Sequence, residues 1–163
     1  MRGAVAAILA FLVPACAGAQ DAAFTVRLMT LETATQAARS ALESCRKSGY
    51  QVAVAVVDRS GVAQVLLRDR FAGPHTVEMA IDKAWTAVSF RTSTSALEEA
   101  TQAGKPMSGL RARPRFVAVG GGITIEAGGA LLGAIGVSGA PGGERDDACA
   151  RAGLAAVQQN LEF

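Results

Sequence analysis

The chain has 163 residues, half of them apolar, with 16 basic and 14 acidic side chains and a formal net charge of +2. That is the size of one ordinary domain with enough apolar content for a core, and it excludes a disordered, collagenous or coiled-coil chain. The near balance of charge leaves no electrostatic footprint for nucleic acid. One local basic run, Arg111, Arg113 and Arg115 around Pro114, reads either as a solvated loop or as a contact for a ligand carboxylate.

Residues 1–19 read as a targeting segment. Arg2 supplies a positive start and Ala4–Val13 an uninterrupted apolar run, which Pro14 breaks. Ala17-Gly18-Ala19 then offers a small-x-small cleavage site before Gln20. The run is too short to span a bilayer. The expectation is a periplasmic or secreted protein with no transmembrane segment, whose mature domain covers residues 20–163. A lipoprotein route through Cys16 is the less favoured alternative. Removing residues 1–19 leaves Cys45 and Cys149, an even count that permits a disulfide in an oxidising compartment. Cys45 falls late in the first expected helix and Cys149 early in the last. Their sulfurs meet if those helices pack antiparallel; two buried free thiols are the alternative. No Cys or His stands at metal-ligand spacing.

In chain order, Thr30 caps a helix predicted over Leu31–Lys47, where Leu31, Ala34, Ala38, Ala41, Leu42 and Cys45 recur at helical spacing. Tyr50–Val57 and Val62–Arg68 are rich in β-branched residues and predict a hairpin turning at Asp58–Gly61. A second helix is expected over His75–Phe90, with Pro74 at its first turn and Val77, Ile81, Ala84, Trp85 and Val88 as its apolar side. A third, capped by Thr94 or Ser95, runs to about Ala103. Residues 105–115 read as an irregular loop. Three strands follow, at Phe116–Val119, Ile123–Ile125 and Ala130–Val137, the last two joined by a turn at Ala127-Gly128-Gly129. The glycine-rich Ser138–Gly143 then leads into a last helix, opened by Glu144, Arg145, Asp146 and Asp147 and ending near Asn160. This order describes a single α+β domain: a profilin-like, mainly antiparallel five-stranded sheet flanked by helices.

The chemistry-bearing motifs are few. Gly139–Gly143 lies between a strand and a helix, a context that can cradle an anion. It lacks the Lys-Ser/Thr of a P-loop and the spacing of a dinucleotide fingerprint. Glu144, Asp146 and Asp147 complement the helix dipole there and would repel a phosphate, so a tight structural turn is favoured. No Gly-x-Ser-x-Gly elbow occurs. His75 is the single histidine. It follows Gly73-Pro74 at a helix start, where a neutral ring nitrogen can ligate iron; a surface histidine without a role is the plain alternative. Met79 lies one turn on and shares its face, so the two cannot approach opposite faces of one haem. Met79 reads better as core filler than as half of a soft-metal pair.

Several runs together resemble the GlcG/HbpS-like haem-binding family. They are Ala53–Gly61 (AVAVVDRSG), Leu66–Asp69 (LLRD), Ala72–Glu78 (AGPHTVE), Ile81–Ala87 (IDKAWTA), Ser89-Phe90, Gly120–Ile123 (GGGI), Gly133–Gly139 (GAIGVSG) and Asp146–Gly153 (DDACARAG). The likeness extends from about Leu28 to Val157. It implies a domain that binds haem, in sensing or handling it, and that forms homo-oligomers; the same domain occurs fused to PduO-type adenosyltransferases. It makes His75 the candidate axial ligand and Arg68, Lys83 and Arg111 candidate partners for the propionates. For Arg68 and Lys83, structural ion pairing is an equal reading. Where many relatives read Gly-Gly-x-Pro, this chain has Gly122-Ile123-Thr124, which frees a backbone N–H and loosens the loop. Asp58 and Gly61 serve the hairpin turn, and Gly133 and Gly136 inside a strand imply close approach of a backbone or ligand. A binding protein is favoured over an enzyme. A second expectation is a small organic-acid binder or accessory protein of a metabolic pathway, its ligand held by Gly120, Gly121, Gly122 and Gly139–Gly143. A third is a structural oligomer without a small ligand.

Overall fold

The structure, a computed structural model, describes residues 22–161. The expected targeting segment and Cys16 lie outside these residues. Among the described residues four helices and four strands follow in the order α1 (Leu31–Lys47), β1 (Ala53–Asp58), β2 (Ala63–Arg68), α2 (Thr76–Phe90), α3 (Thr94–Ala100), β3 (Gly122–Ala127), β4 (Ala130–Ser138) and α4 (Gly143–Ala155). Short 3-10 turns occupy Ser108–Ala112 and Gln158–Leu161. Among the described residues no helix is long and apolar enough to cross a membrane.

Local chemistry sets the ends of these elements. Thr30 caps α1 by accepting a bond from the Thr33 amide, and Arg46 and Lys47 close its last turn against the helix dipole. In the β1–β2 turn the Asp58 carboxylate accepts from the amides of Ser60 and Val62, and Gly61 takes a φ of +79°. α3 is capped by Ser93, one residue before the expected cap. α2 begins at Thr76, with His75 at its N-cap and Pro74 just ahead of it.

The sheet has the order β2-β1-β4-β3, with all pairs antiparallel. It has four strands, not five. Phe116–Val119 forms no ladder. Its alternating apolar residues instead serve a side cluster, where Phe116 and Ala118 pack with Leu97 and the rings of Phe90 and Phe116 meet edge to face at 5.2 Å.

α1 and α4 cover one face of the sheet, over Val54, Val56, Ile135 and Val137. The two helices cross closely at small residues: a Cβ on Gly153 would lie 2.6 Å from the Ala37 carbonyl. Cys45 and Cys149 join them in a disulfide. α2 covers the other face, over Ala53, Ala55, Val57 and Ala134. Its buried stripe is Ala80, Lys83, Ala84 and Ala87, while Val77, Ile81 and Trp85 are only half-buried. The expected apolar side is therefore rotated. The small side chains win the sheet-facing position because Gly136 lets the helix backbone close in: a Cβ there would run into the Ala80 carbonyl.

Candidate functional site

Four glycines stand at the expected ligand loops, and protein occupies the space beside each. A Cβ on Gly120 would meet the Gly143 carbonyl, on Gly121 the Val137 carbonyl, on Gly122 the Lys83 carbonyl, and on Gly139 the Gln51 carbonyl, all within 2.8 Å. These four glycines permit close packing of one backbone on another, whereas a Cβ on Gly142, in the same loop as Gly139, would meet open space.

The loops are held by carboxylates turned inward from the first turn of α4. Lys83 is 1% exposed. Its Nζ donates to Asp146 Oδ2 at 2.7 Å and to the Val137 carbonyl at 3.0 Å. Asp146 Oδ1 accepts from the Ala140 amide, and Asp147 Oδ1 accepts from the Gly121 amide. Burial pushes the Asp146 carboxyl above the ordinary carboxylate value, against the pull of the Lys83 ammonium and the Ala140 and Gly139 amides. Asp146 and Asp147 thus do more than complement a helix dipole: they clamp two loops. Lys83 is consumed in this network and is not free to meet a propionate.

Arg111 is also spent elsewhere. Its guanidinium donates to the carbonyls of Thr101 and Glu98, beyond the C-terminal end of α2, and α2 alone is about 22 Å long at its rise per residue. A cleft of about 630 Å³ lies nearby between α3 and the start of α4. Glu98, Glu99 and Glu144 line it with one cation, Arg145, and with Gly142 and Gly143, and that acidic excess disfavours a ligand carrying two carboxylates.

His75 and Arg68 both lie at the β2–α2 connection, Arg68 bonded to the Ala72 carbonyl and the His75 ring folded over Gly73. Register places Leu66 beside Ala55 and Arg68 beside Ala53, so both side chains lie on the α2 side of the sheet. β2 is one of the two edge strands, and α2 covers it only in part: Leu66 is exposed, as is Phe71 just beyond the strand. Val77 and Ile81 of α2 flank the same small-residue cluster, half-buried. The imidazole of His75 is exposed at the head of α2 and folds back over Gly73, where a Cβ would lie 2.7 Å from its Cε1. Arg68 donates one bond to the Ala72 carbonyl at 2.6 Å while its side chain remains exposed. The β2–α2 segment thus carries exposed or half-buried Leu66, Phe71, Val77 and Ile81 together with an exposed imidazole and guanidinium, and is called the platform below. The two polar groups are among the residues named from the sequence. Phe71, Leu66, Val77 and Ile81 are not named there as part of a site; the one signal for them is an aromatic residue shortly before Gly-Pro.

A family model described as haem degrading protein HbpS-like matches residues 29–155. The chain belongs to the HbpS-like family. Crystal structures agree: HbpS itself is 41% identical with a TM-score of 0.79, covering 86% of this chain and 98% of that one. A double mutant of Streptomyces reticuli HbpS is 39% identical at the same TM-score, covering 90% of this chain and 98% of that one. A structure described as a PduOC:heme complex is 32% identical with a TM-score of 0.76, covering 80% and 95%. The corrinoid adenosyltransferase PduO of Salmonella typhimurium is 34% identical over 124 residues, which are 75% of this chain and 37% of that protein. The chain therefore spans little more than a third of this longer relative. The residues of the platform fit the flat, apolar, twice-carboxylated haem named for the PduOC complex: aromatic and aliphatic groups for the ring, an accessible ring nitrogen, and a guanidinium.

Proposed function

We propose that this HbpS-like chain is an exported haem-binding protein that holds the cofactor on the β2–α2 platform. The observation that supports this reading is that the imidazole of His75 is exposed in the same β2–α2 segment that leaves Leu66 and Phe71 exposed. Leu66, Phe71, Val77 and Ile81 bury the apolar ring, each contributing according to the area removed from water. His75 offers a ring nitrogen to the iron. Arg68 offers its remaining N–H groups to a propionate. Haem, when bound, supplies the redox and oxygen chemistry, and the chain supplies binding and orientation.

Titration of the protein with haemin gives a saturable Soret band. His75→Ala shifts or abolishes that band and weakens binding by at least about tenfold, equivalent to about 1.4 kcal/mol. Arg68→Ala weakens binding with the band position kept. An unchanged band and affinity in His75→Ala overturns the assignment of the ligand.

Export is supported by the apolar run behind Arg2, by the Ala17-Gly18-Ala19 site and by the disulfide. Intact mass of protein from the envelope fraction should correspond to a chain starting at Gln20. A mass retaining residues 1–19 rejects this processing.

A further inference from the structure

The connection Asp69–His75, which carries Phe71 and His75, has no helix or strand of its own. A ligand-bearing connection holds its geometry only where side chains fix its backbone, and here they do so from end to end. At its end the Thr76 hydroxyl, 1% exposed, donates to the Gly73 carbonyl at 2.7 Å. In its middle Arg68 holds the Ala72 carbonyl. At its start stands Asp69, 3% exposed. Side chains alternate across a sheet, so Arg68 faces the α2 side and Asp69, the next residue, turns to the α1 side. There Arg46, in the last turn of α1, donates to Asp69 Oδ1 from Nε at 2.7 Å and from Nη2 at 2.5 Å. Asp69 Oδ2 accepts from the Val52 amide at 3.4 Å, and the Asp69 amide donates to the Val52 carbonyl at 2.9 Å. The Asp69 carbonyl accepts in turn from the Ala72 amide.

The inward polar groups are thus spent on the connection itself, while Phe71 and His75 face solvent. We infer that Asp69 and Arg46 are positioning residues of the haem site: from the α1 side of the sheet they fix where Phe71 and His75 stand. The inference rests on the haem reading above. Arg68 and Asp69 are neighbours in the chain, so the clamp also sets the root of the guanidinium offered to a propionate. Without it the connection takes several arrangements. The one that brings the imidazole to the iron is then only a fraction of the population, and the apparent affinity for haem falls by that fraction.

Haemin titration of the full chain, followed by absorbance, tests it with Asp69→Asn, Arg46→Ala and Arg46→Lys beside the wild type and His75→Ala. Asp69→Asn keeps the size of the side chain and an acceptor for the Val52 amide, and the Arg46 side chain is 52% exposed, so each variant folds; thermal midpoints well above the titration temperature check this. Asp69→Asn and Arg46→Ala each bind haemin about tenfold more weakly. The Soret band of the haem they hold moves towards that of His75→Ala, because the imidazole meets the iron in fewer molecules. Both Arg46 nitrogens bond the same carboxylate oxygen, so a single ammonium can stand in for them, and Arg46→Lys recovers most of the affinity and the wild-type band. Wild-type affinity and band in Asp69→Asn and Arg46→Ala, with the band altered in His75→Ala, overturn this inference and leave the haem reading intact. Weaker binding with the band of the bound haem unmoved overturns it in favour of a general loosening of the fold. An unchanged band in His75→Ala overturns the assignment of the haem ligand and this inference with it.

Discussion

Removing the Cys45–Cys149 bridge lowers the thermal midpoint by roughly 10 to 20 °C, on a loss of about 4–5 kcal/mol. The two cysteines are 104 residues apart, so the bridge closes most of the domain into one loop and strips a large share of the freedom of the unfolded chain. It also joins α1 to α4, the pair that shields the valine-rich face of the sheet. Both cysteines are buried, which has a kinetic consequence. A thiol reductant reaches the sulfurs only when one of these helices lifts, so reduction of the folded protein is slow and accelerates as the midpoint is approached. Differential scanning calorimetry of Cys45→Ala/Cys149→Ala beside the oxidised wild type checks the size of the effect. Equal midpoints would show that the bridge adds nothing to packing already present.

The legible parts of this fold were those whose signals are local. α1 could be bounded from Thr30 and the spacing of its alanines, because cap and stripe lie in adjacent residues. The two hairpins followed from Asp58–Gly61 and from Gly128-Gly129. The misread strand at Phe116–Val119 carries the right alternation, but a strand exists only where a neighbour is available. Phe116–Val119 makes no ladder, and its apolar residues serve Leu97 and Phe90 instead. The buried face of α2 departs from the expected one for a related reason. Large apolar residues normally mark the buried side, yet Gly136 draws small residues inward and displaces Val77, Ile81 and Trp85 to the flank. Of the site, His75 and Arg68 could be named from residue type and resemblance. The apolar residues of the platform could not, since the exposure of Leu66 depends on how far α2 covers an edge strand, which no local pattern encodes. The role of Lys83 had one overlooked signal, a charge standing within the stripe Ala80, Ala84, Ala87. Its partner lies 63 residues away, beyond any periodicity.

That buried charge is where single substitutions should cost most. Lys83→Met leaves the Asp146 carboxylate in the interior with amides alone. Asp146→Asn leaves the ammonium with the Val137 carbonyl and an uncharged amide. Each single change costs about 3–5 kcal/mol, because it strands an uncompensated charge. Lys83→Met/Asp146→Asn together cost much less than the sum. The double variant removes both charges, while the carboxamide that replaces the Asp146 carboxylate keeps an acceptor for the Ala140 amide.

The sign of the Asp146 shift agrees with this expectation. Its carboxyl titrates above the ordinary value because desolvation outweighs the attraction of Lys83. As pH rises through the ordinary carboxylate value, the unfolded chain releases this proton before the folded one does. Considered alone, Asp146 therefore costs stability increasingly as pH rises from the ordinary carboxylate value to its raised one; the full cost persists above that, and protonation below the interval relieves it. A pair whose burial penalty is only partly offset by attraction is one that neutral side chains replace at little cost. Its structural service is to fix position: Lys83 holds α2 to the end of β4, and Asp146 holds the Gly139–Gly143 turn to the same point. Urea unfolding of the four proteins at neutral pH gives the coupling energy directly, expected to exceed about 2 kcal/mol. Additive single effects would mean that the two charges are solvated independently and that the loops are held by Asp147 and packing alone.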